Sequence, residues 1–353
     1  MLDVKTYLEQ AAAAGASDLF FVAGAPVTQK VGGRMMYTDS PKLLPPDTEG
    51  LIRQLYTLAE RDIQGYLSKG DDDFSFAIPG LARFRVSAYK QRGSLAAVVR
   101  LVAFHIPSWE ALGIPKEIMD LAQLPHGMIL FTGTAGSGKS TTQACLIDRI
   151  NHTRSCHIIT LEDPIEFLHR NDKSIVSQRE IAIDTADCLS ALRACLRQAP
   201  DVILLGEMRD AQTIRTAMTA AETGHTVIAT LHTKGTANSI NRIIDVFPAE
   251  QQGQIRIQLA SVLHTVVSQQ LVQGMDRALV PVFEVLHTNS AVKSLIRDGK
   301  THQIPTALAS FGDEGMYTAD QDLFRLYSEG KISAQTALEN ADDPTQLSRR
   351  LNK

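Results

Sequence analysis

Two regimes of hydrophobic patterning divide the chain. In the first hundred residues the apolar positions come in short, mixed periods. Leu2, Tyr7 and Leu8 sit among alanines at helical spacing over residues 2–14, and Ser17–Val22 then reads as a strand. Glycine-rich turns follow at Gly24 and Gly32-Gly33, and Pro45-Pro46-Asp47 opens a second helix. Phe74–Phe76, Ala82–Tyr89 and Ala96–Val102 alternate as a meander of strands, broken by turns at Pro79-Gly80 and Arg92-Gly93. The pattern predicts a small α+β module over residues 1–105. Two prolines and a glycine between Ile106 and Pro115 mark a linker, placed over 106–120. From residue 121 the regime changes. Continuous apolar runs at Met128–Thr132, His157–Leu161, Val202–Leu205 and Thr226–Leu231 alternate with helical stretches, the signature of a largely parallel sheet covered by helices.

Composition narrows the class without deciding it. With 44% apolar and 21% charged residues in 353, the chain has material for two buried cores, which excludes disordered and fibrous classes. No run approaches the roughly 18 apolar residues of a membrane span. Asp3, Lys5 and Glu9 precede an alanine run, unlike a signal peptide, so a cytosolic, unprocessed chain is expected. A net charge of −4 and no long basic stretch argue against a nucleic-acid partner. Cys145, Cys156, Cys188 and Cys195 have no CxxC spacing and are expected as reduced, mostly buried thiols.

Gly133-Thr134-Ala135-Gly136-Ser137-Gly138-Lys139-Ser140 satisfies GxxxxGK[ST], with an apolar run before it and a helix through Ile150 after it. The glycines let the backbone turn its N–H groups toward phosphate oxygens, and the following helix presents its positive end. Lys139 supplies a charge to the terminal phosphates and the Ser140 hydroxyl a magnesium ligand. The pattern predicts an ATP site over Gly133–Thr141.

Hydrolysis requires acidic groups, and two clusters lie at expected strand ends: Glu162, Asp163 and Glu166 in the first, Glu207 and Asp210 in the second. A carboxylate there can orient water or hold Mg2+, so Ser140, Glu162, Asp163 and Glu207 are the metal candidates. His225 and His232 flank the run Val227–Leu231; a zinc pair would lack the third ligand that a tetrahedral site needs. Arg83 and Arg85 alternate with Ala82, Phe84 and Val86, so both guanidinium groups project from one face of a strand. Arg100 is a weaker candidate of the same kind.

The strings GSGKSTT, LEDPIEF, GEMRD, AAETGHTVIATLHT and DVFPAE, in this order, resemble the secretion ATPase superfamily and its PilT branch in particular. ARFRVSAY at 82–89 resembles the family's N-terminal domain, and SLIRDGKTHQI at 294–304 a segment associated with retraction; residues 311–353 resemble its tail. The resemblance implies a RecA-like P-loop core over 121–353 with a C-terminal helical segment, and a smaller PAS-like domain over 1–105. It implies catalytic roles for Glu166 as water-polarising carboxylate, Glu207 as Walker B glutamate, His225 and His232 as a histidine box, and Arg83 and Arg85 as arginines that reach the nucleotide. It further implies ATP and Mg2+ and a homo-hexameric motor that drives type IV pilus retraction and twitching motility. An inner-membrane platform protein and related pilus ATPases are the implied partners, met at the cytoplasmic face of the membrane. Thr134-Ala135 departs from the family's usual Pro-Thr at variable loop positions.

A pilus-assembly or type II/IV secretion ATPase is the alternative within the superfamily. Those enzymes generally carry a long extra N-terminal domain and a cysteine-paired zinc insertion, which this sequence lacks. An accessory nucleotide sensor is opposed by the intact Lys139, Ser140, Glu166 and Glu207.

Overall fold

A computed structural model describes residues 2–102, 106–310 and 315–351 of the chain. The expected domain end at residue 105 and tail residues 311–314, 352 and 353 lie outside the described residues. The chain divides into two compact units, residues 1–105 with 166–168, and residues 106–165 with 169–353.

The first unit contains β1 (Asp18–Phe21), β2 (Thr28–Val31), β3 (Arg34–Tyr37), β4 (Asp71–Ile78), β5 (Ala82–Gln91) and β6 (Ser94–Val102) in one sheet ordered β3-β2-β1-β6-β5-β4. All its pairs are antiparallel. Three helices belong to this unit: α1 (Val4–Ala13), α2 (Pro45–Leu58) and α3 (Gln64–Lys69). α1 starts where the Asp3 carboxylate accepts from the N–H groups of Lys5 and Thr6, satisfying donors the helix leaves open. Period-two alternation works as read: Phe84, Val86 and Ala88 of β5 and Ala97 and Val99 of β6 enter the core with Leu51, Ile52 and Leu55 of α2. In the hairpin β2–β3, β3 escapes that pattern because all four of its residues are exposed, and the buried positions of β2, Thr28 and Gln29, are adjacent rather than alternating.

The second unit is built on β7 (Gly127–Thr132), β8 (His157–Glu162), β9 (Ile175–Glu180), β10 (Val202–Leu205), β11 (Thr226–Leu231), β12 (Leu263–Gln273) and β13 (Leu279–His287), ordered β13-β12-β7-β11-β10-β8-β9. Every pair from β12 to β9 is parallel, and only the β12–β13 edge hairpin is antiparallel. Its helices are α4 (Lys116–Asp120), α5 (Lys139–Thr153), α6 (Cys188–Cys195), α7 (Ala211–Glu222), α8 (Thr236–Asp245), α9 (Ala249–Val262), α10 (Ser290–Arg297), α11 (Ile304–Ser310), α12 (Ala319–Ser328), α13 (Ala334–Asn340) and α14 (Pro344–Leu351). Every residue of β7, β10 and β11 is buried, which is why these strands read as unbroken apolar runs. One apolar cluster on the sheet includes α7, α8 and α9, and another includes α4 and α5. The last three helices close a separate cluster on β12 and β13, where the buried Asp322 accepts from Phe283 N at 2.8 Å and from Arg325 Nε at 2.8 Å. The four cysteines are free of disulfides, and burial pushes the thiols of Cys145, Cys188 and Cys195 up to about 11, so they are protonated at neutral pH. No described helix is long and apolar enough to cross a membrane.

Candidate functional site

The C-terminal ends of β7, β11, β10 and β8 lie side by side, and every strand-end motif read from the sequence except one emerges there. β7 runs directly into the glycine loop, and α5 begins at Lys139. Gly133, Gly136 and Gly138 adopt φ of +139°, +77° and +87°, a region that L-residues avoid. Space adds a second demand at two of them. A Cβ on Gly133 would overlap the carbonyl oxygen of Gln269, and one on Gly138 would stand 2.8 Å from Gln269 Nε2, whereas around Gly136 nothing lies within 4 Å. Thr134, Ala135 and Gly136 form the exposed tip, Ser137 is buried, and Ser140 and Thr141 occupy the first turn of α5, Ser140 exposed and Thr141 half-buried.

Lys139 is only 6% exposed. Its ammonium donates to Gly133 O and Thr134 O, both at 2.7 Å, and lies 3.4 Å from Ser137 Oγ. The charge is thereby anchored inside the curl of the loop, at the positive end of α5. A concave loop that admits no Cβ at Gly133 or Gly138, with a helix N-terminus and a fixed cation, fits a nucleotide polyphosphate.

Glu207 follows β10 through Gly206, whose missing side chain lets the end of β8 approach: a Cβ there would lie 3.2 Å from Leu161 O and 3.3 Å from Glu162 Cα. Glu207 accepts from Arg209 Nε at 2.6 Å and stands 3.5 Å from His232 Nε2. The hydrogen bond and charge of Glu207, with Asp163 adding to them, raise the pKa of Arg209. Glu162 accepts from Thr160 Oγ1 at 2.6 Å and from Gln178 Nε2 at 3.2 Å, while Asp163 and Glu166 are exposed. No group of three or more His, Cys, Asp or Glu side chains suited to a metal exists among the described residues. A Mg2+ ion needs no such cage, since it keeps several waters and takes one or two protein oxygens, and the Ser140 hydroxyl and Glu207 carboxylate are the hard donors it prefers.

His225 does not join this group. It precedes β11, whose first residue Thr226 pairs with Gly127 at the start of β7, so it lies at the opposite end of the strands. Its Nδ1 sits 2.8 Å from Ala220 O and 3.3 Å from Thr223 Oγ1, which ties it to the end of α7. The six residues of β11 span about 20 Å, too far for one histidine to share the work of the other. In the first unit, Arg83 and Arg85 are half-buried on the face of β5 opposite the core, and Arg85 stands in register with Arg100 of β6. Arg100 is engaged by the buried Asp18, Nε to Oδ1 at 2.9 Å.

Pairings that the motifs do not mark complete the site. Thr142 Oγ1 donates to Gln269 Oε1 at 2.9 Å and Gln143 Nε2 to Thr230 Oγ1 at 2.9 Å, pinning the start of α5 to β12 on one side of β7 and to β11 on the other. The signal for Gln269 was the run Ser268, Gln269 and Gln270 directly after Val266 and Val267 and before Leu271 and Val272, since a polar side chain buried there must find a partner.

A glycine loop between a central parallel strand and a helix, with carboxylates on neighbouring strand ends, defines a P-loop nucleoside triphosphatase with a RecA-like core. The comparisons are narrower. Residues 2–281 match the model of the family described as type II/IV secretion system protein. The chain is 41% identical over 344 residues to the type IV pilus retractation ATPase PilT of Pseudomonas aeruginosa, covering 97% of this chain and 99% of the relative. It is 41% identical over 320 residues to a twitching motility protein of Neisseria gonorrhoeae, covering 90% and 85%. A crystal structure of the pilus retraction motor PilT with bound ADP superposes with a TM-score of 0.91 at 42% identity, over 99% of this chain and 100% of that one. The chain therefore belongs to the type II/IV secretion system protein family, in its PilT branch of ATPases.

Proposed function

We propose that this ATPase is the motor of type IV pilus retraction, working as a homo-hexamer against an inner-membrane platform protein at the cytoplasmic face of the membrane and beside related pilus ATPases. The observation that carries the reading is end-to-end similarity to a pilus retraction ATPase, 41% over 97% of the chain, combined with a phosphate loop whose glycine geometry is intact. ATP is the substrate. Lys139 holds the β- and γ-phosphates, and the α5 N-terminus with the loop N–H groups completes the cradle. Ser140 and Glu207 would hold Mg2+, which when bound neutralises charge developing on the phosphate oxygens. Glu207, oriented by Arg209 and His232, and Glu166 are the carboxylates that align and deprotonate the attacking water. Arg83 and Arg85 are the cationic groups that the first unit contributes; their common outward face supports that role. His225 is left out of the chemistry and acts as a tie between α7 and β11. Glu162 and Asp163 shape the field around Glu207.

The test is deletion of the gene in its host, with complementation by the wild-type and Lys139→Ala genes. Pili that persist or accumulate but fail to retract, with surface motility lost in both the deletion and the Lys139→Ala strain, are expected. Loss of pili would reassign the motor to assembly, and unchanged pili would reassign it to secretion.

A further inference from the structure

β12 is hydrogen-bonded along nine register pairs to β13 and, on its other side, to β7, so its backbone is a rigid rail beside the phosphate loop. Ser268 of that rail stands opposite Thr132, the last residue of β7, which puts Gln269 level with the loop itself. Gln269 is 4% exposed and meets the loop twice and the start of α5 once. Its carbonyl oxygen fills the place a side chain on Gly133 would take, its Nε2 borders Gly138, and its Oε1 accepts from Thr142 Oγ1 at 2.9 Å. One residue thus touches the first glycine of the loop, the last, and the first turn of the helix that follows, Thr142 being 127 positions away in sequence. The neighbouring Gln270 turns to the other face and donates to Asn340 O of α13 at 3.4 Å.

A loop with three glycines loses much conformational entropy when fixed, and its N–H groups bind phosphate only while they converge. Some outside group has to fix it. We propose that Gln269 is the positioning residue of the phosphate loop: its side chain holds the loop in the anion-binding curl through the buried Thr142–Gln269 hydrogen bond and the packing of its amide on Gly138, beside the main-chain carbonyl that borders Gly133. It does so without touching nucleotide, and its loss weakens binding more than turnover. This rests on the reading of Gly133–Thr141 as the ATP site and adds the residue that shapes it.

The experiment compares wild type with Gln269→Leu, which keeps volume and removes the amide, Thr142→Val, Thr142→Ser and the Gln269→Leu/Thr142→Val double variant in the full chain. Fluorescent ADP binding with Mg2+, KM for ATP, kcat and the melting temperature of nucleotide-free protein are measured. Gln269→Leu and Thr142→Val should each raise Kd and KM about tenfold, the scale of one buried hydrogen bond with a partner left unpaired. kcat at saturation should fall less than about threefold, Thr142→Ser should bind like wild type, and the double variant should be no worse than Gln269→Leu. If Gln269→Leu does not fold, Thr142→Val against Thr142→Ser decides. A lowered melting temperature with unchanged Kd would make Gln269 a packing residue only and overturn the proposal, as would equal losses in kcat and KM. Wild-type protein that fails to bind ADP would instead overturn the ATP site itself.

Discussion

Glu207 and His232 meet across the ends of β10 and β11, the carboxylate oxygen Oε2 3.5 Å from the ring nitrogen Nε2, while the same oxygen accepts from Arg209 at 2.6 Å. His225, seven residues earlier in the same sequence motif, is tied instead to Ala220 O at the far end of the strands. The two histidines should therefore separate in function. His232→Ala is expected to lower kcat at least about tenfold, because it releases the carboxylate from its orientation. His225→Ala should leave kcat within about twofold and lower stability by about 1 kcal/mol, the worth of a typical hydrogen bond. Steady-state ATPase assays with thermal melts of both variants check this, and equal loss of kcat in both would put the histidines back into one functional unit.

Lys139 and Glu207 should separate as well, along a different axis. The Lys139 ammonium lies inside the loop against two carbonyls, so Lys139→Ala removes the charge from the phosphate cradle, and Mg-ATP binding should fall at least about a hundredfold. Glu207→Gln keeps the shape of the side chain while removing its charge and basicity. It should bind ATP within a few-fold of wild type and turn it over about a hundredfold more slowly. Equilibrium binding alongside single-turnover hydrolysis distinguishes the two, and near-normal turnover in Glu207→Gln would assign the base to Glu166.

Much of this site was legible because its chemistry is local in sequence. The glycine loop and the acidic strand ends each follow from residues within a few positions of one another. What was hidden depends on pairing. Nothing near Gln269 states that β12 lies beside β7, and nothing near Gln143 states that Thr230 is its partner, since both pairs join distant segments through the sheet order. His225 and His232 looked equivalent because a strand pattern gives the strand but not which of its ends faces the loop; the parallel register with β7 supplies that. The strands β3 and β9 escaped for a plainer reason, their exposed or half-exposed edges carrying no alternation.

The three loop glycines look alike in the motif yet carry unequal demands. Gly136 needs only its positive φ, with open space around it, so Gly136→Ala should cost about 1–2 kcal/mol of local strain and retain nucleotide binding within about tenfold. Gly133→Ala would drive a methyl into the carbonyl of Gln269, backbone of a strand held to β13 along nine register pairs. Binding should then be lost or the protein should fail to fold. Fluorescent-nucleotide titration of the two alanine variants makes the comparison, and equal behaviour would mean that the loop does not pack on β12 as described.

Stability should also fall in mild acid because of His169, just beyond the acidic segment. Burial, helped by the nearby His152, pushes its pKa from 6.5 down to about 4, and its Nδ1 has no hydrogen-bond partner. The unfolded chain binds the proton near pH 6.5 and the folded one only near 4, so the unfolded state holds more protons throughout that interval and stability rises with pH across it. Full stability from this residue is present above about pH 7 and is lost as the pH drops toward 4. Between pH 7 and 5, before most carboxylates titrate, the loss amounts to about 2 kcal/mol. Denaturant melts of wild type and His169→Gln at half-unit steps should show a steeper slope in the wild type than in the variant, which keeps the contribution of His264, whose pKa burial also lowers. An identical slope in both would show that the His169 ring is protonated without cost, and therefore that it reaches solvent in the folded protein.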